Sequence, residues 1–362
     1  MPGWAIACAG FLIGFAAGYA VHRGRLCSFG AIEDALIGRD WRRMKTFALA
    51  LGIALAGTQA MIVMGLFDPS QSTYVPARVA VLSAVIGSVL FGIGMAFVGT
   101  CAFGSLVRLG GGDLRSLISM LLFGVVAYAT LRGVLSPLRV DVLERVAVAM
   151  PGGTPSDFAS LLSRLVQANV QVALAAILAA ILIFWALFDA RLRKSKRLLL
   201  AGGVLGLGVF AGWAITGPGA DPFDESVRVR SLTFVGPVAR ALFGVIGNHA
   251  DWLDFGAMSV PGVVAGSFVY AKQSDNFRWE AYDDHHEMRR HLTGAALMGF
   301  GGVLAGGCTI GQGLTAGSVL AVTWPITVLG MIAGARLGIA ILVEGSVMDL
   351  LRQRFFAPRG AK

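Results

Sequence analysis

Three short stretches hold the residues that could do chemistry: "GRLCSFGAI" (24–32), "VGTCAFGSL" (98–106) and "GGCTIGQGL" (306–314). Each sets one cysteine among small residues at or near the end of an apolar run. Glycine inside a helix costs roughly 1 kcal/mol relative to alanine, so these are poor helix interiors. They read as places where a helix stops inside a membrane and restarts, leaving backbone N–H groups free. Such backbone is tolerated at membrane depth only where it is buried in protein or lines a cavity. The N-terminus of a half-helix carries partial positive charge and favours anions. A thiol beside it adds a weak S–H donor and a polarisable sulfur. Together these suit a small anion that itself contains sulfur. A thiolate would repel that anion, so the chemistry requires neutral thiols. The candidate path residues are Cys27, Cys101 and Cys308, with Gly99, Thr100, Gly104, Gly307, Thr309 and Gly311. For one loop alone, a glycine-packed crossing with an inert cysteine is the better reading. Three such loops reverse that preference.

Other chemistries fit less well. Cys8, the fourth cysteine, lies in the first apolar run outside any such loop and reads as a packing residue. The four thiols are far apart with no Cys-x-x-Cys, which disfavours paired redox chemistry. Soft-metal transport would use cysteine, methionine and histidine. The 12 methionines form no ladder, however, and His22, five residues before Cys27, is flanked by Arg23 and close to Arg25. "DDHHEMRRH" (283–291) could ligate a metal, but a solvated loop of mixed charge explains it more simply. A membrane sulfurtransferase would need one activated cysteine in an electropositive pocket, for which Cys27 is the candidate. Three separate thiols fit a path better than an active site. No phosphate-binding glycine-lysine loop marks an ATPase, and no cofactor is expected. Arg108, Arg132, Arg240 and Arg336 lie within apolar runs and suit an anion, although Arg132 can snorkel to an interface.

The elements that position these loops follow from composition. Of 362 residues 56% are hydrophobic and 14% charged, against about one quarter charged in soluble proteins, so the chain belongs in a membrane. A spanning helix needs about 20 apolar residues. Such runs lie near 3–21, 46–67, 79–98, 114–135, 170–188, 198–215, 252–271, 292–307 and 319–343, with a partial one at 234–246. The expected fold is an all-α integral membrane protein of about nine transmembrane helices plus short re-entrant half-helices. The net charge of +9 is concentrated in "RDWRRMK" (39–45) and "RLRKSKR" (191–197), each beside an apolar run. The positive-inside rule explains both as cytoplasmic, without nucleic acid as a partner, and puts the amino terminus outside. The first run lacks the charged start and cleavage site of a secretory signal, so it reads as retained.

The chain also reads as internally duplicated. "FGIGMAFVGTCAFGSL" (91–106) aligns with "MGFGGVLAGGCTIGQG" (298–313), matching Gly92 to Gly299, Gly94 to Gly301, Gly99 to Gly306, Cys101 to Cys308 and Gly104 to Gly311. More weakly, "GFAAGYAVHRG" (14–24) resembles "GVFAGWAITGP" (208–218), and "RLCSFG" (25–30) resembles "RSLTFVG" (230–236), with Leu232 in the place of Cys27. Whether the repeats are parallel or inverted depends on the span count. The expected division is a first half 1–135, a linker 136–197 with interfacial helices and one extra span, a second half 198–345, and a polar tail 346–362. The stretch 272–292 reads as the longest polar loop.

"RGRLCSFGAIEDAL", "GTCAFGSL" and "GGCTIGQGLTAGS", in this order within a duplicated apolar chain, resemble the YeeE/YedE family of bacterial membrane proteins, from about residue 10 to 345. The resemblance implies an inner-membrane permease for a sulfur compound, most specifically thiosulfate. It also implies that Cys27, Cys101 and Cys308 pass the anion's terminal sulfur along a constricted path, and that a small cytosolic sulfur-carrier protein receives the product. Related members imply other sulfur or selenium compounds as alternatives. The driving force is open, since no obvious intramembrane carboxylate stands out. Membrane lipid is the one other partner expected.

Overall fold

The computed structural model describes residues 3–76, 78–149, 156–166, 171–218, 229–247 and 254–344. It is built from helices: α1 (Gly3–Gly24), α2 (Ser28–Leu36), α3 (Arg42–Val63), α4 (Val81–Val98), α5 (Ala102–Gly110), α6 (Leu114–Arg132), α7 (Phe158–Val166), α8 (Gln171–Leu187), α9 (Ala190–Lys194), α10 (Lys196–Thr216), α11 (Val235–Gly247), α12 (Phe255–Gln273), α13 (His285–Leu304) and α14 (Thr323–Glu344). One two-residue ribbon, β1 (Arg78–Val79) with β2 (Val148–Ala149), ties the start of the linker to the α3–α4 connection.

Six segments among the described residues are long and apolar enough to cross a bilayer: Gly3–Leu36, Arg42–Val63, Val81–Gly110, Leu114–Arg132, Lys196–Thr216 and Thr323–Val343. The protein is therefore an all-α, multi-pass membrane protein. Helices α12 and α13 are of similar length, but α12 carries Pro261 and α13 opens on charged residues. The 17-residue α8 buries only Ala175, Ala179 and Ala186, and leaves Ile177, Ile181 and Phe184 exposed. That apolar exterior is what a lipid-facing helix presents.

Lipid removes the hydrophobic drive between helices, so close packing must hold them together, and small residues allow it. Gly10, Gly14 and Gly18 of α1 meet the backbone of Phe255, Ser259 and Val263, so α1 and α12 run parallel in contact. The α4–α13 pair is antiparallel. A Cβ at Gly294 would stand 2.8 Å from the Gly94 carbonyl oxygen, and one at Gly301 would stand 2.6 Å from that of Gly87. Around these crossings Phe91, Met95, Phe123, Trp213, Phe234 and Met298 form a fully buried core.

Helix directions define two ends. Gly24 at the end of α1 lies against Arg197 at the start of α10, and Lys45 reaches Asp189 at 2.7 Å, so the two basic stretches share one end. We call it the basic end.

One expectation is corrected. The stretch 272–292 is not all loop, because α13 begins at His285. Asp284 accepts from the Glu287 N–H at 2.7 Å, and Glu287 accepts from the Asp283 N–H at 3.3 Å. That reciprocal cap starts the helix in polar sequence, where hydropathy gives no sign of it. Of the linker, a wide turn at Leu138–Leu143, β2, α7, α8 and α9 are described. The tail expected at 346–362 lies outside the described residues.

Candidate functional site

All three cysteine loops are built by one device. Helix α4 ends on Gly99 at φ 72°, and α13 is followed by Gly306 at φ 73°, both in the left-handed region that glycine enters freely. The next amide closes the turn: Thr100 N–H to Met95 O at 3.1 Å, and Gly307 N–H to Gly302 O at 2.9 Å. Helix α1 ends alike, with Leu26 N–H to Val21 O at 3.1 Å, but Arg25 holds the left-handed position at φ 48°. A non-glycine residue there costs about 1–2 kcal/mol. In each case the cysteine comes two residues later and opens the next helical turn. Cys27 and Cys101 are the N-caps of α2 and α5. Cys101 Sγ accepts the Gly104 N–H at 3.3 Å, and Cys308 Sγ accepts the Gly311 N–H at 3.5 Å. Sulfur thus takes the place a serine oxygen fills at an ordinary helix start.

The three loops meet. Cys27 Sγ lies 3.3 Å from the Thr100 hydroxyl. A Cβ at Gly104 would stand 3.4 Å from Cys27 Sγ and 3.5 Å from Cys101 Sγ, so glycine here leaves both sulfurs facing one small space. Ser28 donates to Cys101 Sγ at 3.1 Å, and its hydroxyl also lies 2.8 Å from that of Thr309, the residue after Cys308. The sequence of groups is therefore Cys308, Thr309, Ser28, Cys101, Cys27 and Thr100. Cys101 and Cys308 are fully buried, whereas Cys27 is half-buried.

A cavity opens at each end of this neck. Toward the basic end, about 600 Å³ is lined by Cys27, Thr100 and Gly104 and by Arg25, Arg43, Arg108 and Arg115. Arg115 is compensated by Asp113, Glu280 and Glu287. Arg108 donates to the Gly99 carbonyl at 3.0 Å. At the other end, about 330 Å³ is lined by Gly306 and Gly307, Tyr74 and Thr233, with Arg139, Arg230 and Arg240. Arg230 and Arg240 share one buried carboxylate, Asp254. Arginines line both mouths, several of them paired: Arg43 lies 3.2 Å from Asp34 at the inner mouth, and Arg139 lies 3.5 Å from Glu144 at the outer one.

The candidate residues named from the sequence fall into this neck and its two mouths. Gly99, Thr100 and Gly104 sit with Cys27 and Cys101, Gly307 and Gly311 sit with Cys308, and Thr309 bridges. Sequence reasoning passed over Ser28, Tyr74 and Thr233. The Ser-Phe and Thr-Phe that follow Cys27 and Leu232 in the weaker repeat were the available signal for Ser28 and Thr233. Tyr74 had none. A Cβ at Gly311 would lie 2.8 Å from its hydroxyl, and its ring meets Trp213 edge-on at 6.5 Å. Cys8 is exposed on α1 rather than packed, because its helix face looks toward lipid. Among the described residues no group of three histidine, cysteine or acidic side chains could hold a metal.

A helical membrane protein with two arginine-lined cavities separated by a narrow neck has the form of a transporter. The chain belongs to the sulphur transport family, which its residues 23–337 match. It is 27% identical over 334 residues to the thiosulfate transporter TsuA of Escherichia coli (strain K12), covering 87% of this chain and 88% of that protein. It is likewise 27% identical over 319 residues to the thiosulfate transporter TsuA of Spirochaeta thermophila, covering 84% and 90%. The family and these relatives transport rather than catalyse, and this chain is a transporter, not an enzyme.

Proposed function

We propose that the protein is a permease of the bacterial inner membrane that imports thiosulfate, handing its terminal sulfur along Cys308, Cys101 and Cys27. The observation that carries this reading is the Ser28 hydroxyl, which touches both Cys101 Sγ at 3.1 Å and Thr309 Oγ1 at 2.8 Å and so joins the loops into one neck. The basic end is cytoplasmic by the positive-inside rule, so Arg139, Arg230 and Arg240 guard the outer mouth. There the guanidinium groups draw the dianion in, and Tyr74 and Thr233 border the approach to Cys308. Inside the neck, thiols contact the sulfur through weak S–H···S bonds while the Thr100 and Thr309 hydroxyls face the oxygens. Contacts of this strength let the ion leave as well as enter. No covalent bond to sulfur forms. At the inner mouth Arg25, Arg43 and Arg108 receive the anion, which passes to a small cytosolic sulfur carrier.

We read the chain as nine spans in two inverted halves, 1–135 and 198–345, joined by the linker 136–197. The glycine pairing on α4 and α13 supports inversion. Gly87 and Gly94 become Gly294 and Gly301 when shifted by the spacing from Cys101 to Cys308. Each member of one helix faces the shifted image of the other, as a two-fold axis in the membrane plane requires.

The test is uptake of ³⁵S-thiosulfate into proteoliposomes, with competition by unlabelled anions. Saturable uptake that unlabelled thiosulfate blocks and sulfate does not block supports the reading. Equal inhibition by sulfate removes the sulfur-sulfur contact from the mechanism, and absence of uptake moves the search to other sulfur or selenium anions.

A further inference from the structure

Beside the neck lies a cavity that the transport path does not use. It holds about 190 Å³ between α2, α3, α8, α14 and the wide turn Gly311–Ala316 that follows Cys308. Its lining is apolar apart from two hydroxyls, those of Ser28 and Thr309. These are the pair whose 2.8 Å contact ties the cysteine loops together, so a wall of the neck is also the inner wall of this cavity. Gly313 keeps the space open: a Cβ there would meet nothing within 4 Å.

The cavity belongs to the bilayer. Helices α2, α3 and α14 lie in membrane-spanning segments. Leu182 and Trp185 of α8 form a rim, beside Ile181 and Phe184, which are exposed on that helix. The lining follows α3 from Met44 to Leu51, a length of about 10 Å. Trp324 closes the deep end, where a Cβ at Gly317 would stand 2.7 Å from Leu51 and 3.0 Å from the indole nitrogen. Met44 stands at the basic end, and the ammonium of Lys45 lies 5.7 Å from the centre of the Trp185 ring. The long direction is that of a lipid tail with its head at the basic end.

An apolar cavity of about 150 Å³ stays dry and takes up hydrocarbon. A hydrated anion finds nothing in such a lining to replace its lost water. The charge above it selects the head. The stretches 39–45 and 191–197 hold nine basic side chains, and among the described residues ion pairs to Asp34, Asp40 and Asp189 match three of them. Arg39, Arg193, Lys194 and Lys196 are exposed. Orientation in the membrane accounts for such charge. It does not account for a tail-shaped cavity directly beneath it, and basic residues at a membrane surface attract anionic lipid.

We propose that this cavity holds an acyl chain of an anionic phospholipid, with its headgroup on Lys45 and the basic residues around it, and that the chain backs the Ser28–Thr309 wall of the neck. With the chain in place, the two hydroxyls turn only to each other and to the neck. Without it, the wall stands against an open space and loosens. The lipid site is independent of the transported anion, whereas its effect on uptake rests on the transport reading above.

The test has two arms. The full-length protein is reconstituted in phosphatidylcholine vesicles doped with phosphatidylglycerol or phosphatidylcholine brominated in its chains, and tryptophan fluorescence is read. Brominated phosphatidylglycerol should quench saturably at mole fractions where brominated phosphatidylcholine quenches little, and the unbrominated lipid should reverse it. Trp324→Phe should remove most of this selective quenching, because Trp324 lies at the tail end and away from the headgroups. Gly313→Leu and Ala48→Leu fill the cavity from two walls, and each should abolish it in monodisperse protein. Lys45→Gln should weaken the apparent affinity about fivefold, as for one basic residue at an anionic surface. Equal quenching by the two lipids overturns the choice of an anionic head, and selective quenching that survives in both filled variants overturns the cavity. In the second arm, ³⁵S-thiosulfate uptake should be several-fold faster with phosphatidylglycerol present than in phosphatidylcholine alone, and Gly313→Leu should lose that difference. Wild-type uptake indifferent to phosphatidylglycerol overturns the support of the neck. Selective quenching without thiosulfate uptake in any lipid leaves the lipid site standing and refutes the substrate instead.

Discussion

The two mouths of the neck are made alike and equipped differently. At the basic end Cys27 and Cys101 share a space beside Thr100. At the other end Cys308 is the only thiol, Leu232 stands where Cys27 has its counterpart, and Tyr74 and Thr233 fill the approach. The same turn, with a left-handed residue two positions before the cysteine, builds all three loops. The difference is therefore one of side chains on a common backbone. Its lesson is polarity: two thiols lie on one side of Cys308, and a hydroxyl-rich approach lies on the other.

Three substitutions probe that contrast, taken in order of expected effect. Gly104→Val should do most. A branched side chain there would run into the Thr100 hydroxyl and crowd both sulfurs of the basic-end pair. Overpacking of this kind costs about 1–3 kcal/mol, so uptake should fall roughly 100-fold while size-exclusion chromatography still reports a folded protein. Ser28→Ala should come next. It leaves Cys101 and Thr309 without their shared partner and cuts the tie between the two ends. Loss of a buried partner costs about 1–3 kcal/mol, so initial uptake rates should drop by roughly tenfold. Leu232→Cys should do least, since it adds a thiol where the weaker repeat lacks one. A change of about twofold in the apparent KM for thiosulfate is expected, from one weak contact. A tenfold gain instead would mean that the missing thiol, and not Tyr74 and Thr233, sets the difference between the mouths.

Much of this was legible in the sequence because a bilayer demands long apolar runs. The runs at 46–67, 114–135 and 198–215 match α3, α6 and α10 to within a few residues at most ends. The cysteine loops stood out because glycine and a thiol interrupt such runs. What stayed hidden has particular physical causes. The start of α13 is set by a reciprocal cap between Asp283, Asp284 and Glu287, in residues that read as loop. Ser28 and Thr309 are separated by 281 positions, and no local pattern announces their contact. Arg25 occupies a conformation that sequence assigns to glycine. Asp157 lies in a stretch of prolines, glycines and charges that reads as surface, yet the fold turns it inward. Asp254, inside the run near 252–271, is likewise a buried carboxylate that inspection of the apolar runs passed over.

The central claim is that the thiols form the path, and Cys308 is where it can be tested most directly, as the lone sulfur of its mouth. The measurement is ³⁵S-thiosulfate uptake into proteoliposomes by wild type, Cys308→Ala and Cys8→Ala, with equal reconstitution verified. Cys8 is exposed on α1, outside the neck, and serves as the control. The account predicts that Cys308→Ala abolishes uptake while Cys8→Ala matches wild type. Normal uptake by Cys308→Ala would show that its loop is a glycine-packed crossing with an inert cysteine, and would contradict the thiol path.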